Sequence, residues 1–430
     1  MEVPRIYRVY SDLDIEEVSR ILRSSIDLER AIDSVRPIIE DVRRRGDEAV
    51  IEYAMKLDGA DLKLEDIYID RSRLSDISSK ADQRLVESLR KLSKRIEDVE
   101  RPLLSIVLSI WRVEAGEGLY IEISFRPVER VACYIPGGLT PYVSTALMCG
   151  VTARLAGVRR LVALLPPKAL TPGMAASLLI AGFDGVYRVG GPYGVAAVAY
   201  GTKRIERVDK IVGPGGIYVT AAKALVSRDV GIDMIAGPTE LVVYVDRRGY
   251  EEEILSHLAA QAEHGDSVLL AVVTPDIEIA GSLARIASEK ASTTGSKVFE
   301  RVSRLLNIII VDSVGRAAKF IDALSPEHVE VCSNLEGFRD MLNSYGVLID
   351  GCVSSAINDY YSGVNHILPT MSWARIRGGL SILDFVALRR RVIYRGSRDG
   401  LRDIAGEVMP IAMEEGFQLH LDSIYRGVRG

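Results

Sequence analysis

Cysteine, histidine and aromatic residues are scarce in this chain. Among 430 residues there are four cysteines, five histidines and two tryptophans, and Phe, Trp and Tyr together make up 6%. Cys133, Cys149, Cys332 and Cys352 form no CxxC pair, which argues against a disulfide framework or a thiolate zinc cage. An excess of one charge is also missing. The 54 Lys+Arg against 59 Asp+Glu leave a net charge of −5, which speaks against a general nucleic-acid binder, whose affinity rests on neutralising phosphates. The basic runs Arg43–Arg45 and Arg389–Arg391 read as solvated helix faces. The longest apolar stretches, such as Leu103–Trp111, are about half what a membrane span requires. The opening "MEVPRIYRVYSDLDIEE" has acids where a signal peptide has an apolar core. The expectation is a soluble chain of a reducing compartment, with neither nucleic acid nor membrane as partner.

What is present suffices to bury a large core. At 48% hydrophobic the chain supports two domains plus accessory segments, and disorder is excluded as its dominant state. Residues 1–125 read as mostly helical, with apolar residues at helical spacing in "RAIDSVRPIIEDVRRRGDEAVIEYAMKLDG" and "RLVESLRKLSKRIEDVERP". Asp58-Gly59 closes one helix and Pro102 follows another. No chemistry is visible there, so the segment reads as scaffold or dimer surface. From about residue 128 the texture changes to short apolar runs that end in Gly or Pro and lead into helix-period segments: "RVACYIPGG", "RRLVALLPP", "GVYRVGG" and "DKIVGPGG". A second set follows: "ELVVYVD", "SVLLAVVTPD", "NIIIVDS", "HVEVCS" and "GVLIDG". Strands alternating with helices at this spacing imply parallel sheets with crossover helices. The expected fold class is α/β: two Rossmann-like parallel-sheet domains with a helical N-terminal segment and a C-terminal helical arm. The boundaries fall at 1–125 for the helical segment, 126–236 and 237–378 for the two α/β domains, and 379–430 for a basic connector and the arm.

The five histidines are His257, His264, His328, His366 and His420. In "HLAAQAEHG", Gln261 and His264 lie three apart and share a helical face, which His257 can also share. An amide oxygen and an imidazole make half of a divalent-metal site, zinc being suited to N and O ligands. The plainer reading is a histidine complementing the dipole at a helix C-terminus. "SPEHVEV" puts Glu327 and His328 at the mouth of a strand, where both can reach one cleft. A histidine titrating near neutrality suits general-base work and a carboxylate beside it can activate water; the alternative is a surface acid beside a core histidine. The polar loop "NDYYSGVNHILPT" offers Asp359 and His366 as ligands or orienters. The glycine loops Tyr134–Gly138, Gly190-Gly191 and Gly213–Gly216 follow strands. Such turns can present N–H groups to phosphate, although none is GxGxxG.

Together, "VRRRGDEAVIEYAMKLDG", "RPVERVACYIPGG", "VDKIVGPGGIYVTAAKALV", "IDMIAGPTELVVYVD", "QAEHG", "SPEHVEV", "DYYSGVNHILPT" and the closing "EEGFQLH" resemble the histidinol dehydrogenase family. The likeness runs in one order from about residue 35 to 420. It implies oxidation of L-histidinol to L-histidine through the aldehyde, with two molecules of NAD and one zinc per active site. Carried over by motif, the metal ligands are Gln261, His264, Asp359 and His420, with His257 a bystander. Glu327 and His328 match the catalytic pair, His328 as base and Glu327 activating water. Thr239 and Glu415 take substrate-contact positions alongside Gln261, His264, His328, Asp359 and His420, and Tyr134, Tyr193 and Gly216 take NAD-contact positions. The resemblance places NAD on the first α/β domain and zinc and catalysis on the second. It further implies a cytoplasmic, intertwined homodimer in which the arm, with Glu415 and His420, completes the partner's site.

Departures from the family pattern cluster on the cofactor side. Thr239 stands where serine is usual, Tyr193 where glutamine is usual, Gly216 where asparagine is usual, and Ala221 where "TEAK" has Glu. The stretch Cys149–Arg154 also differs. Each lost amide removes a hydrogen bond worth about 0.5–1.5 kcal/mol, while Tyr193 can stack on a nicotinamide or adenine ring, so altered cofactor binding is expected. The alternative is a paralogous zinc-dependent dehydrogenase of the same fold acting on another amino or sulfonated alcohol. Further rivals are a zinc-bound protein without NAD turnover and a zinc hydrolase using Glu327. A covalent role for Cys133 is disfavoured, since nothing nearby in sequence lowers its pKa.

Overall fold

The computed structural model describes residues 3–23, 28–116, 118–137 and 141–429, so Gly138 of the first glycine loop lies outside the described residues. Each apolar run singled out from residue 128 onward forms a strand. Arg130–Tyr134, Arg160–Leu164, Gly185–Tyr187 and Lys210–Val212 are parallel neighbours in one six-stranded sheet. Glu240–Val245, Leu269–Thr274, Leu306–Val311, His328–Cys332 and Val347–Asp350 run parallel in a second. Glu240–Val245 and Leu306–Val311 are buried at every residue. Cover on both faces by crossover helices explains why these strands read as continuous apolar runs without alternation.

Both sheets are doubly wound. In the first, the chain steps outward from Arg130–Tyr134 through Arg160–Leu164 to Gly185–Tyr187, then returns to the other side with Lys210–Val212 and Gly231–Ile232. In the second it steps from Glu240–Val245 through Leu269–Thr274 to Leu306–Val311, then returns with His328–Cys332 and Val347–Asp350. Each reversal leaves a crevice at the carboxyl ends of two adjacent strands whose connections leave in opposite directions, the usual place for a ligand in such sheets.

The N-terminal segment is mostly helical, yet it does more than scaffold. Arg5–Val9 adds a parallel outer strand to the second sheet, and Tyr68–Asp70 an antiparallel one to the first. Gly59 closes the helix Asp47–Asp58 at φ 59°, as expected. Pro102, in contrast, lies inside the helix Gln83–Val107 instead of following it. Burial of Leu89, Leu92, Ile96 and Val107 on one face carries the helix past the proline, tertiary packing outweighing a local cost of about 3 kcal/mol. Arg43–Arg45 do occupy the last turn of a helix, Leu28–Arg45. Arg389–Arg391 do not: Val386–Tyr394 is a strand paired antiparallel with Leu119–Pro127, which also pairs with Ile110–Glu114. The arm that follows consists of helices Arg398–Glu414 and Gln418–Arg429, and it leaves Ile411, Met413, Phe417 and Leu419 exposed. Among the described residues no helix is long and apolar enough to cross a membrane.

The cysteine expectation needs one correction. Cys133 and Cys149 are free and buried, but Cys332 and Cys352 are joined in a disulfide. The strand His328–Cys332 and the turn beyond Val347–Asp350 bring the two sulfurs together, a proximity that spacing without a CxxC cannot reveal. Denatured protein should accordingly show two reactive thiols before reduction and four after it in a thiol-counting assay. Reduction should lower the melting temperature, since closing a loop of about this length is worth roughly 3 kcal/mol.

Candidate active site

The carboxyl ends of the first sheet face the amino ends of the second across a cavity of about 430 Å³. Pro136 and the Pro214–Ile217 loop line it from the first unit. Thr239, Gln261, His264, Glu327 and His328 line it from the second, and Asp359, His366 and Thr370 from the loop that follows. The cavity thus lies at the switch point of the first sheet, beyond Arg130–Tyr134 and Lys210–Val212, and is closed on the other side by the amino ends of Glu240–Val245 and His328–Cys332.

Glu327 and His328 form its buried polar centre. Glu327 accepts the Thr239 hydroxyl and, at 2.9 Å, the Glu240 N–H. His328 Nδ1 lies 3.2 Å from the Glu240 carbonyl and 3.5 Å from Glu327 Oε2. Both neighbours of Nδ1 are acceptors, so it carries the proton in the neutral ring and Nε2 holds the lone pair. Nε2 is buried and has no hydrogen-bond partner. Burial alone depresses the proton affinity of His328, but the adjacent Glu327 carboxylate overrides it and pushes the ring up to about 9. Burial likewise opposes ionisation of Glu327, and the His328 ring with the Thr239 and Glu240 donors holds its carboxyl below the ordinary value.

Gln261 and His264 reach the cavity from the end of the helix Glu251–Ala262, His264 sitting in the turn just past it. The Gln261 amide nitrogen donates to Thr239, whose hydroxyl proton is already given to Glu327. That relay commits the NH₂ group and leaves the amide oxygen as the donor atom available to a cation. The Tyr142 ring stacks on His264 with centroids 6.5 Å apart. Asp359 sits in a widened helical turn, Asn358–Ser362, a geometry frequent at functional sites. His366 Nδ1 lies 3.3 Å from the Asp359 carbonyl and its Nε2 3.2 Å from the Thr145 hydroxyl. Burial lowers the proton affinity of His366.

Other expected residues lie elsewhere. His257 does not share the cavity face: it pairs with Glu330 at 2.8 Å, and Glu330 in turn accepts the Ser355 N–H at 2.5 Å. That chain of contacts ties the Gln261 helix to the segment leading into Asp359. Tyr193 has no exposed surface, its hydroxyl donating to Asp58 and its ring stacking on Tyr53. Stacking on a cofactor ring is therefore closed to it, because the helix Gly191–Tyr200 turns it into the core. Tyr134 is also buried and accepts the Gly191 N–H at 3.2 Å, joining two of the expected glycine loops. Gly216 does border the cavity, just before the helix Ile217–Val226, with open space where a Cβ would project. Glu415 and His420 lie on the arm, exposed and away from this cavity. Cys133 is buried, and burial beside Cys149 pushes its thiol up, away from nucleophilic use.

Sequence reasoning missed the charged residues behind these groups. Lys223 and Asp233 form a buried ion pair that grips Gly213 by its carbonyl and its N–H. Gly213 has φ +111°, and a Cβ there would fall 2.2 Å from the Tyr134 carbonyl oxygen. Glu240 and Arg23 form a second pair behind Glu327, with the carboxylate buried and the guanidinium partly so. The available signal was an acid inside a buried apolar run, as in "ELVVYVD" and "HVEVC", since buried carboxylates need partners.

Two doubly wound sheets closing on a cavity that holds a buried carboxylate–imidazole pair define the architecture of an α/β enzyme. The histidinol dehydrogenase family model matches residues 21–427. Over 421 residues the chain is 36% identical to histidinol dehydrogenase of Archaeoglobus fulgidus, covering 95% of this chain and 98% of that one. It is also 36% identical over 423 residues to that of Methanopyrus kandleri, covering 95% and 97%. The crystal structure of histidinol dehydrogenase from Elizabethkingia anophelis superposes with a TM-score of 0.86 at 27% identity, covering 100% of this chain and 99% of that one. This chain belongs to the histidinol dehydrogenase family and is an oxidoreductase.

The Glu327–His328 pair makes stability depend on pH in a defined direction. Glu327 is depressed from 4.5, so its contribution is present above that value and lost as pH falls. His328 is raised from 6.5, so its contribution is complete below 6.5 and lost as pH rises through about 9. In metal-free protein, chemical denaturation should therefore show wild type exceeding Glu327→Gln by most between pH 4.5 and 6.5, with the gap closing towards pH 9. A gap independent of pH would refute the coupling.

Proposed function

We propose that this chain catalyses the NAD-linked, four-electron oxidation of L-histidinol to L-histidine, the last step of histidine biosynthesis, in the cytoplasm. The observation that carries the proposal is the convergence of Glu327 and His328 with Gln261, His264 and Asp359 on one cavity between the carboxyl ends of the first sheet and the amino ends of the second. Thr239 adds a hydroxyl beside them.

The donor chemistry fits zinc. Gln261 offers an amide oxygen freed by its Thr239 contact, His264 an imidazole and Asp359 a carboxylate, the N and O set that zinc accepts. Of the four ligands the family pattern implies, these three line the cavity of one chain, and among the described residues no group of three or more His, Cys, Asp and Glu gathers as a metal site. We assign the fourth ligand to His420 and a substrate contact to Glu415, both delivered by the arm of a second copy in an intertwined homodimer. The exposed Ile411, Met413, Phe417 and Leu419 on that arm support the assignment, since apolar side chains clustered on an extended arm suit burial against a partner. When bound, NAD would supply the hydride acceptor for each oxidation, and a zinc ion held by Gln261, His264, Asp359 and the arm's His420 would supply a Lewis acid for the nitrogen donors of the substrate. The Gly213–Gly216 turn, rigid and open to the cavity, is the surface we assign to NAD.

His328 Nε2 takes the hydroxyl proton as the carbinol carbon loses hydride, which yields the aldehyde. Glu327 then draws a proton from water as the water adds to the aldehyde carbon. His328 returns its proton to the aldehyde oxygen, which yields the hydrate and frees His328, and Glu327 passes its proton to solvent. His328 receives a hydroxyl proton of that hydrate as the second hydride leaves, which yields the carboxylic acid, ionised to the carboxylate in solvent. Without a base the alcohol cannot release hydride, and without added water the aldehyde has no second hydroxyl to deprotonate. Thr239 orients both Glu327 and Gln261 by its single hydroxyl.

Purified zinc-loaded protein should form two NADH per histidinol consumed, with a chelator abolishing turnover and added zinc restoring it. No NADH despite bound zinc would move the reading to another amino or sulfonated alcohol. His328→Ala should cut turnover by about 10²- to 10⁴-fold while zinc content stays near that of wild type; wild-type activity in that variant would refute the assigned base. Mixing a Gln261→Ala chain with a His420→Ala chain should recover activity that neither has alone, because one site of the mixed dimer joins an intact body to an intact arm. Absence of recovery would overturn the shared site.

A further inference from the structure

Behind the catalytic pair proposed above lies a buried acid that the reaction does not use. The Glu240 carboxylate is claimed by three separate segments. It accepts the Arg23 guanidinium from the N-terminal helix Asp12–Arg23, the Met371 N–H at 2.9 Å, and the Glu327 N–H at 3.2 Å. Its own backbone completes the arrangement, with its N–H on Glu327 Oε2 at 2.9 Å and its carbonyl facing His328 Nδ1 at 3.2 Å. Residue 240 therefore touches both members of the pair, and by two routes in the case of Glu327.

Arg23 holds this residue from outside the sheet. One guanidinium nitrogen meets Glu240 and the other the Leu324 carbonyl, at the end of the helix Val314–Leu324. The next residue, Ser325, stands at φ 48°, in the left-handed region, and turns the chain through Pro326 into Glu327. The guanidinium thus grips both the carboxylate behind Glu327 and the turn before it. The helix that delivers Arg23 is itself anchored in the second unit by Ile15, Val18 and Leu22. Burial pushes the Glu240 carboxyl above its ordinary value, and the Arg23 guanidinium works against that rise. An ionised carboxylate can accept from Arg23, Met371 and Glu327 at once, whereas a protonated one gives up acceptor capacity.

We infer that Arg23 and Glu240 are positioning residues for proton transfer, holding Glu327 and His328 at the angle the reaction requires. The inference rests on the roles proposed for that pair. It makes the N-terminal helix part of the active site, although no residue of that helix lines the cavity.

The test compares Arg23→Ala, Glu240→Gln and Arg23→Lys with wild type as zinc-loaded protein, using histidinol and NAD. Arg23→Ala and Glu240→Gln should lower kcat by about 10²-fold, the usual effect of misplacing reacting groups by an ångström. KM for both substrates and zinc content should stay within about twofold, because the proposed ligands are untouched. Arg23→Lys, which keeps the charge and one of the two contacts, should recover part of the loss. A wild-type kcat in both variants, or a loss carried by KM or zinc content, would overturn the positioning role. Hydrogen exchange read on the same proteins is independent of the substrate assignment. Arg23→Ala, or Glu240→Gln if the former does not fold, should speed exchange in segments 325–330 and 369–372 and leave 160–164 unchanged. Unchanged exchange in the first two segments overturns the inference even if histidinol proves to be the wrong substrate, whereas an inactive wild type that still shows the local change sinks only the substrate.

Discussion

A carboxylate buried against an imidazole is the contact on which the rest of this structure depends. Glu327 and His328 lie together in the interior, where each ion alone would be expensive. They persist because the Thr239 hydroxyl and the Glu240 N–H satisfy the carboxylate, while the Glu240 carbonyl fixes which ring nitrogen carries the proton. Nε2 of His328 is buried and left without a partner, open to a ligand. It can accept a proton in the fraction of molecules whose ring is neutral, a fraction that grows as pH rises towards about 9.

The fold places that pair where a ligand can reach it. A doubly wound sheet has one position where adjacent strands send their connections apart. Here two such sheets meet with the carboxyl side of one facing the amino side of the other. The two sides bring different equipment. The first unit offers glycine-rich backbone, locked by the Lys223–Asp233 pair around Gly213. The second offers ionisable side chains, backed by His257–Glu330 and Arg23–Glu240. Our proposal assigns the first surface to the cofactor and the second to the substrate.

One chain does not complete the set of residues that the family pattern implies. Glu415 and His420 stay out on an exposed apolar arm, and our proposal sends that arm into a second copy. The departures on the cofactor side also acquire a physical meaning. Tyr193 is a core residue hydrogen-bonded to Asp58, so its side chain serves packing. Gly216 leaves open space beside the cavity.

The strands from residue 128 onward were legible from sequence, because strands buried on both faces must be apolar throughout and must end where Gly and Pro turn the chain. The motifs around Gln261, His264, Glu327, His328 and Asp359 were legible for a related reason: reactive side chains stand out in a chain with five histidines. Pro102 and Arg389–Arg391 misled, since a proline's local cost and a basic run's polarity say nothing about what packs against them. The partners of Glu240 and Glu330, the Cys332–Cys352 bridge and the inward turn of Tyr193 were decided by tertiary structure alone. Arg23 and Glu240 lie 217 positions apart, and no local pattern reports a contact at that distance. Composition and periodicity determined which segments must be buried. Only the packing of those segments determined which buried charges meet.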